Sequence, residues 1–158
     1  MNDLQKTLFE QNKAAALGAM EDARKRLGAQ RMTVVVSYDG GGDEGGVTGV
    51  EVGASGPNHD HLDVRSIEPL TVPFATFESI WRDGAYHHGD PTIADRDFDS
   101  AVSDLAEDAI IMMGHGGYQD NEGGNGEFVL CVSEGSEPEV NLTHRDVIEA
   151  YNTTEHTL

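Results

Sequence analysis

The sequence predicts an α+β fold. The expected architecture is an antiparallel sheet of two hairpins with two main helices on one face, in the order α-β-β-insert-α-β-β. Three observations lead there. Residues 3–27 and 97–113 carry apolar side chains at helical spacing. Residues 32–52 and 127–143 each read as two short β-rich runs joined by a turn. Hairpins flanked by helices, without strict strand–helix alternation, build a two-layer sandwich rather than a parallel sheet. The 158 residues fit one domain spanning 1–158, with an irregular His- and Pro-containing insert at 53–95.

The elements follow in order. In Asp3–Leu27, Phe9, Ala16, Met20, Ala23 and Leu27 share a narrow arc at 100° per residue. Gly18 weakens this helix by about 1 kcal/mol relative to Ala. Gly28 suits the position just past its end, and Arg24, Lys25 and Arg26 suit the negative end of its dipole. Met32–Tyr38 is a β-branched strand. Asp39–Gly46 is glycine-rich and reads as a broad, mobile hairpin tip, and Val47–Val52 as the returning strand. Within the insert, Val64–Ile67 and Leu70–Phe74 read as short edge strands, and Thr76–Asp83 as one or two helical turns around Trp81. In Asp97–Met113, Phe98, Val102, Leu105, Ala106, Ala109, Ile110 and Met113 share one face, with Asp95 as N-cap and Gly114 past the C-terminus. Glu127–Ser133 and Glu139–Thr143 form the second hairpin around Gly135-Ser136. Val147–Asn152 reads as a last short strand or a helical turn.

The net charge is −19, from 10 basic and 29 acidic residues. Residues 1–31 hold six of the basic residues and only four acids, so the remainder is more acidic still. Such a surface repels nucleic-acid backbone and anionic membrane, and attracts basic proteins and cations. No apolar run reaches 18 residues, so no membrane helix is expected. Met1–Glu10 carries acids and no apolar core of a signal peptide, so a cytoplasmic location is the default. The single cysteine, Cys131, excludes an intramolecular disulfide framework and reads as a small buried hydrophobe.

Two glycine-rich loops stand out. One is Tyr38-Asp39-Gly40-Gly41-Gly42-Asp43-Glu44-Gly45. The other runs from His115-Gly116-Gly117-Tyr118 through Asn121-Glu122-Gly123 to Gly126-Glu127-Phe128. With the near-terminal Thr154-Glu155-His156, these motifs resemble those of a family of small acidic bacterial, plasmid and phage proteins of unknown function. The resemblance covers roughly residues 1–52 and 96–156, and residues 53–95 depart from it. It implies a helix-flanked sheet and an association with mobile elements. It implies no activity.

If the two loops meet, Asp39, Asp43, Glu44, Asp120, Asn121, Glu122 and Asn125 gather hard oxygen donors of the kind calcium takes. The stronger reading is that Asp, Asn and Gly serve the turns, so no cofactor is expected and calcium is the alternative. His115 just past a helix end reads as a dipole and cap residue rather than a catalytic base. His59-Asp60-His61-Leu62-Asp63 has the start of a metallohydrolase pattern, and His87 and His88 with Asp90 could complete a zinc or manganese site. No nucleophile is placed for a Ser-His-Asp triad.

The expected function is therefore non-enzymatic. An accessory factor of a mobile element or phage would bind a basic protein surface, for example as an inhibitor of a host defence or nucleic-acid-binding protein. It would do so through Asp97, Asp104, Glu107 and Asp108 of the second helix with Asp39, Asp43, Glu44, Asp120 and Glu122 of the loops. The alternative is a metal-dependent enzyme or calcium-stabilised module, using Asp39, Asp43, Asp120 and Asn121, or His59, His61, His87 and His88. The sequence assigns no oligomeric state.

Overall fold

The computed structural model describes residues 2–119, 123–147 and 152–158. The chain opens with helix α1, Asp3–Leu27. Asn2 and Gln5 close its first turn reciprocally, each side chain accepting from the other's backbone N–H. Gly28, at φ 65°, ends it in the left-handed conformation that a side chain would resist. Strands β1 (Arg31–Gly41) and β2 (Glu44–Ser55) form the first hairpin. The insert supplies β3 (His61–Leu62), a 3₁₀ turn at Val64–Ile67, β4 (Thr71–Thr76), β5 (Ser79–Arg82), β6 (Ala85–His88) and β7 (Thr92–Asp97). Helix α2 (Phe98–Met112) follows, then β8 (Gly124–Ser133), β9 (Glu139–Asp146) and β10 (Asn152–Thr157).

The main sheet is antiparallel with six strands in the order β10-β9-β8-β1-β2-β3. The α+β class stands. The arrangement is larger than the expected two hairpins, because the insert and the C-terminal segment are themselves strands. Alternate residues of β1, β8 and β9 are buried: Met32, Val34, Val36 and Tyr38; Phe128, Leu130 and Val132; Val140, Leu142 and His144. The apolar ones pack into one core with Phe9, Ala16 and Met20 of α1 and Val102, Leu105 and Ile110 of α2. The small Ala16, Ala23, Ala101, Ala106 and Ala109, all essentially buried, let the helices approach closely. Strand β4 pairs only with β7 and is fastened to α1 by Asn12. The Asn12 amide donates to the Ala75 carbonyl at 3.0 Å and accepts from its N–H at 2.8 Å.

Several expectations change. The Asp39–Gly46 tip is neither broad nor outside the sheet, since β1 and β2 stay paired to Gly41 and Glu44, past a register shift between Ser37 and Tyr38. Gly42 and Asp43, at φ 61° and 72°, make a two-residue turn of the kind that matches strand twist. Thr76–Asp83 is not helical. Asp83-Gly84, at φ 53° and 77°, is the same turn type, and the β5–β6 arm carries Trp81 and Tyr86 exposed, their rings edge to face. Val64–Ile67 is a 3₁₀ turn rather than a strand. The N-cap of α2 is Asp97, which accepts from Ser100 N–H at 2.9 Å, and Asp95 lies within β7. The final strand begins at Asn152, and the residues of the 147–152 expectation from 148 to 151 lie outside the described ones. No helix among the described residues is long and apolar enough to cross a membrane.

Candidate metal centre

Side chains directly opposite in an antiparallel ladder stand on the same face. Three adjacent rows of the main sheet therefore decide what gathers at its glycine-rich end. One row is Val36, Phe128, Leu142 and His156. The next is Tyr38, Gly126, His144 and Thr154, and the last includes Gly40, Gly124 and Asp146. Since Val36, Phe128 and Leu142 face the helices, so do His156, His144, Asp146 and Tyr38. The glycines let neighbouring rings lie directly over the backbone at this end of the face. A Cβ on Gly126 would lie 1.9 Å from the Thr143 carbonyl oxygen and 2.7 Å from Tyr38 Oη. One on Gly124 would lie 2.9 Å from His144 Nε2.

The loop after α2 supplies a third imidazole. Gly114 turns the chain at φ 84°, and the His115 N–H returns to the Ile110 carbonyl at 2.9 Å. His115 then lies flat on His144, with ring centroids 4.1 Å apart and planes 18° apart. His115 Nε2 is 2.9 Å from His156 Nε2. His144, 1 % exposed, is held at both nitrogens: Nδ1 is 2.7 Å from Tyr38 Oη and Nε2 is 3.0 Å from Asp146 Oδ1. Among the described residues, one group of metal-ligating side chains converges: His115, His144 and Asp146 each place a donor atom within 4.8 Å of the others.

The electrostatics favour neutral imidazole at His115. Burial first, and then the neighbouring His144 and His156, hold it below the usual imidazole range, with Asp146 opposing. Burial pushes the Tyr38 phenol well above its ordinary value, so Tyr38 acts as a hydrogen-bonding hydroxyl and not as a phenolate. At 3.0 Å the His144 Nε2 and the Asp146 carboxylate oxygen share either a ring N–H hydrogen bond or a metal ion. Two imidazoles and a carboxylate suit zinc, iron, nickel or copper rather than calcium, which takes oxygen donors. Ring lone pairs lie in the ring planes, and these planes are nearly parallel, so His115 must tilt to share an ion with His144. Ligand bonds of about 2.0–2.2 Å put tetrahedral donors roughly 3.4 Å apart, so donors spread over 4.8 Å must also close by about an ångström or more.

The two glycine loops do meet. Asp43 N–H donates to the Gln119 carbonyl at 2.9 Å, Gln119 Nε2 donates to the Gly45 carbonyl at 3.0 Å, and Tyr118 packs over Gly40. Among the described residues, the contact gathers no acids into a ligand set. Asp39 alternates with Tyr38 and Gly40 and is exposed on the opposite side of the strand. Asp43 and Glu44 are exposed at the turn, and Asp120, Asn121 and Glu122 lie outside the described residues. His59, His61, His87 and His88 likewise form no converging donor group. His87 instead bonds the Arg82 carbonyl at 3.1 Å, and His88 bonds Ser79 Oγ at 2.9 Å. On α2, Asp97 caps the helix, Asp104 is paired with Arg96, and Glu107 accepts from Tyr118 Oη at 3.0 Å. Asp108 is half-buried beside Asp104 and Glu107.

His144 and Asp146 were not among the residues expected to carry chemistry, and His115 was read only as a cap. The signal lies in the alternation Val140, Leu142, His144, Asp146, which runs a buried face straight into two donors. A family model matches residues 8–158, running through 53–95, which the motif resemblance set apart. No curated protein and no solved structure matches the chain. The chain belongs to the family of unknown function DUF6878.

Proposed function

We propose that this chain binds one divalent transition-metal ion of the zinc class through His115, His144 and Asp146. One observation carries the reading: donors from the loop after α2 and from β9 converge within 4.8 Å, where glycines let the rings lie close over the sheet. The calcium alternative has no comparable support among the described residues. Equilibrium dialysis against zinc tests the proposal. The expected result is one ion per chain, with binding lost in His144→Gln and Asp146→Asn. Equal binding by the parent and both variants would contradict it, and so would no binding by the parent.

A second reading, a non-enzymatic accessory factor of a mobile element that docks on a basic protein such as a host defence protein, is favoured by the net charge of −19. The internal bonds of Asp104 and Glu107 reduce what α2 contributes to it. Its test is surface plasmon resonance on a captured partner. Affinity should fall steeply with salt, and Asp104→Asn with Asp108→Asn should slow association. Salt-independent binding would contradict it.

A further inference from the structure

The coordination state of the ion follows from which ring nitrogens remain free, and it rests on the metal reading above. We infer that the centre is an open, three-ligand one, in which Tyr38 and His156 are positioning residues and the remaining coordination position takes water or a small oxygen or nitrogen ligand from solvent.

His115 and His144 offer four ring nitrogens, and two are engaged by residues outside the proposed ligand set. Tyr38 Oη occupies His144 Nδ1 at 2.7 Å, and His156 occupies His115 Nε2 at 2.9 Å. One nitrogen of each ring is left for an ion: His144 Nε2, already beside Asp146 Oδ1, and His115 Nδ1. His156 stands outside the group whose donors lie within 4.8 Å of one another.

Ligating histidines characteristically use their second N–H on a neighbouring acceptor, which fixes tautomer and ring orientation. With an ion on Nε2, His144 Nδ1–H donates to Tyr38 Oη, and Tyr38 O–H donates onward to the Thr143 carbonyl at 3.5 Å. Every hydrogen bond in this chain then points away from the ion. The His115–His156 pair does the same, with His115 Nε2–H donating. Zinc is usually four-coordinate, so three protein ligands leave a position for water or substrate. Solvent reaches it, because the Asp146 side chain is 51 % exposed and His115 is only partly buried.

The test is the visible absorption of the full chain loaded with cobalt(II), titrated with azide. The expected result is a saturable change in the cobalt bands on adding azide. Tyr38→Phe should weaken cobalt binding by about 10–100-fold. His156→Phe should do likewise, and His156→Gln, which keeps a hydrogen-bond acceptor, should recover most of the loss. Cobalt bound tightly but indifferent to azide, with bands that change in His156→Gln, would mean that His156 is a fourth ligand. That result overturns the open centre and leaves the metal reading intact. No cobalt bound by the parent would overturn both.

Discussion

Tyr38 and His144 meet across a glycine. Tyr38 Oη lies 2.7 Å from His144 Nδ1, and the residue paired with both on the intervening strand is Gly126. Any side chain there would stand between them, so the hydrogen bond exists only because β8 offers no Cβ at that point. The glycine of the Gly-Glu-Phe motif is thus a spatial requirement of the imidazole cluster. It is not a turn residue, since it lies inside a paired strand.

Gly126→Ala therefore destabilises the chain. Its Cβ would lie 1.9 Å from a backbone carbonyl oxygen, which cannot move aside as a flexible side chain could. The expected loss is at or above the upper end of the roughly 1–3 kcal/mol typical of overpacking. Gly49→Ala is the control, because an added Cβ there meets nothing within 4 Å. Urea denaturation of the two variants should separate them clearly, and equal midpoints would place β8 in a different register.

Leu105 faces the sheet from the middle of α2 and is fully buried. Leu105→Ala leaves a cavity in the single core and should cost about 2–5 kcal/mol. A melting temperature within a degree or two of the parent would contradict this packing of α2.

Asp108 gives the fold a definite pH dependence. Burial, then Asp104 and Glu107, push its carboxyl up to about 6. The folded chain therefore holds this proton more tightly than the unfolded chain does. The ionised carboxylate costs stability above pH 6, and that cost fades as pH falls towards about 4. Asp108→Asn should stabilise the chain at pH 8 by about 1–3 kcal/mol, reduced by whatever solvent reaches the group, and by much less at pH 4. Chemical denaturation at the two pH values measures this, and a pH-independent difference would contradict it.

Some of this was legible in the residues and some was not. Helix α2 was legible because Phe98, Val102, Leu105, Ala106, Ala109 and Ile110 face one core, and a 3.6-residue period records that directly. The long first hairpin was not. Gly40, Gly41 and Gly45 carry no side chain, and the register shifts between Ser37 and Tyr38, so its arms show no alternation although they stay paired. In the insert, Asp83-Gly84 is a strong hairpin signal that a helical reading of Thr76–Asp83 overrode. The three motifs were visible as sequence, and the fold brings parts of each to one cluster: Tyr38 and Gly40, His115 and Gly126, and His156. His144 escaped notice because an in-phase histidine after Val140 and Leu142 reads as core. Its partner Tyr38 is 106 residues away, and no local pattern records the contact.

Thermal unfolding with and without zinc, for the parent and for His144→Gln, tests the metal reading most directly. A ligand bound only by the folded state adds about 2.7 kcal/mol at a hundredfold excess over its dissociation constant. For a chain of 158 residues this corresponds to a rise of roughly 5–10 °C. The account predicts such a rise for the parent, its reversal by EDTA, its absence with calcium, and its loss in His144→Gln. A melting temperature unmoved by zinc, or moved equally in the parent and in His144→Gln, would contradict it.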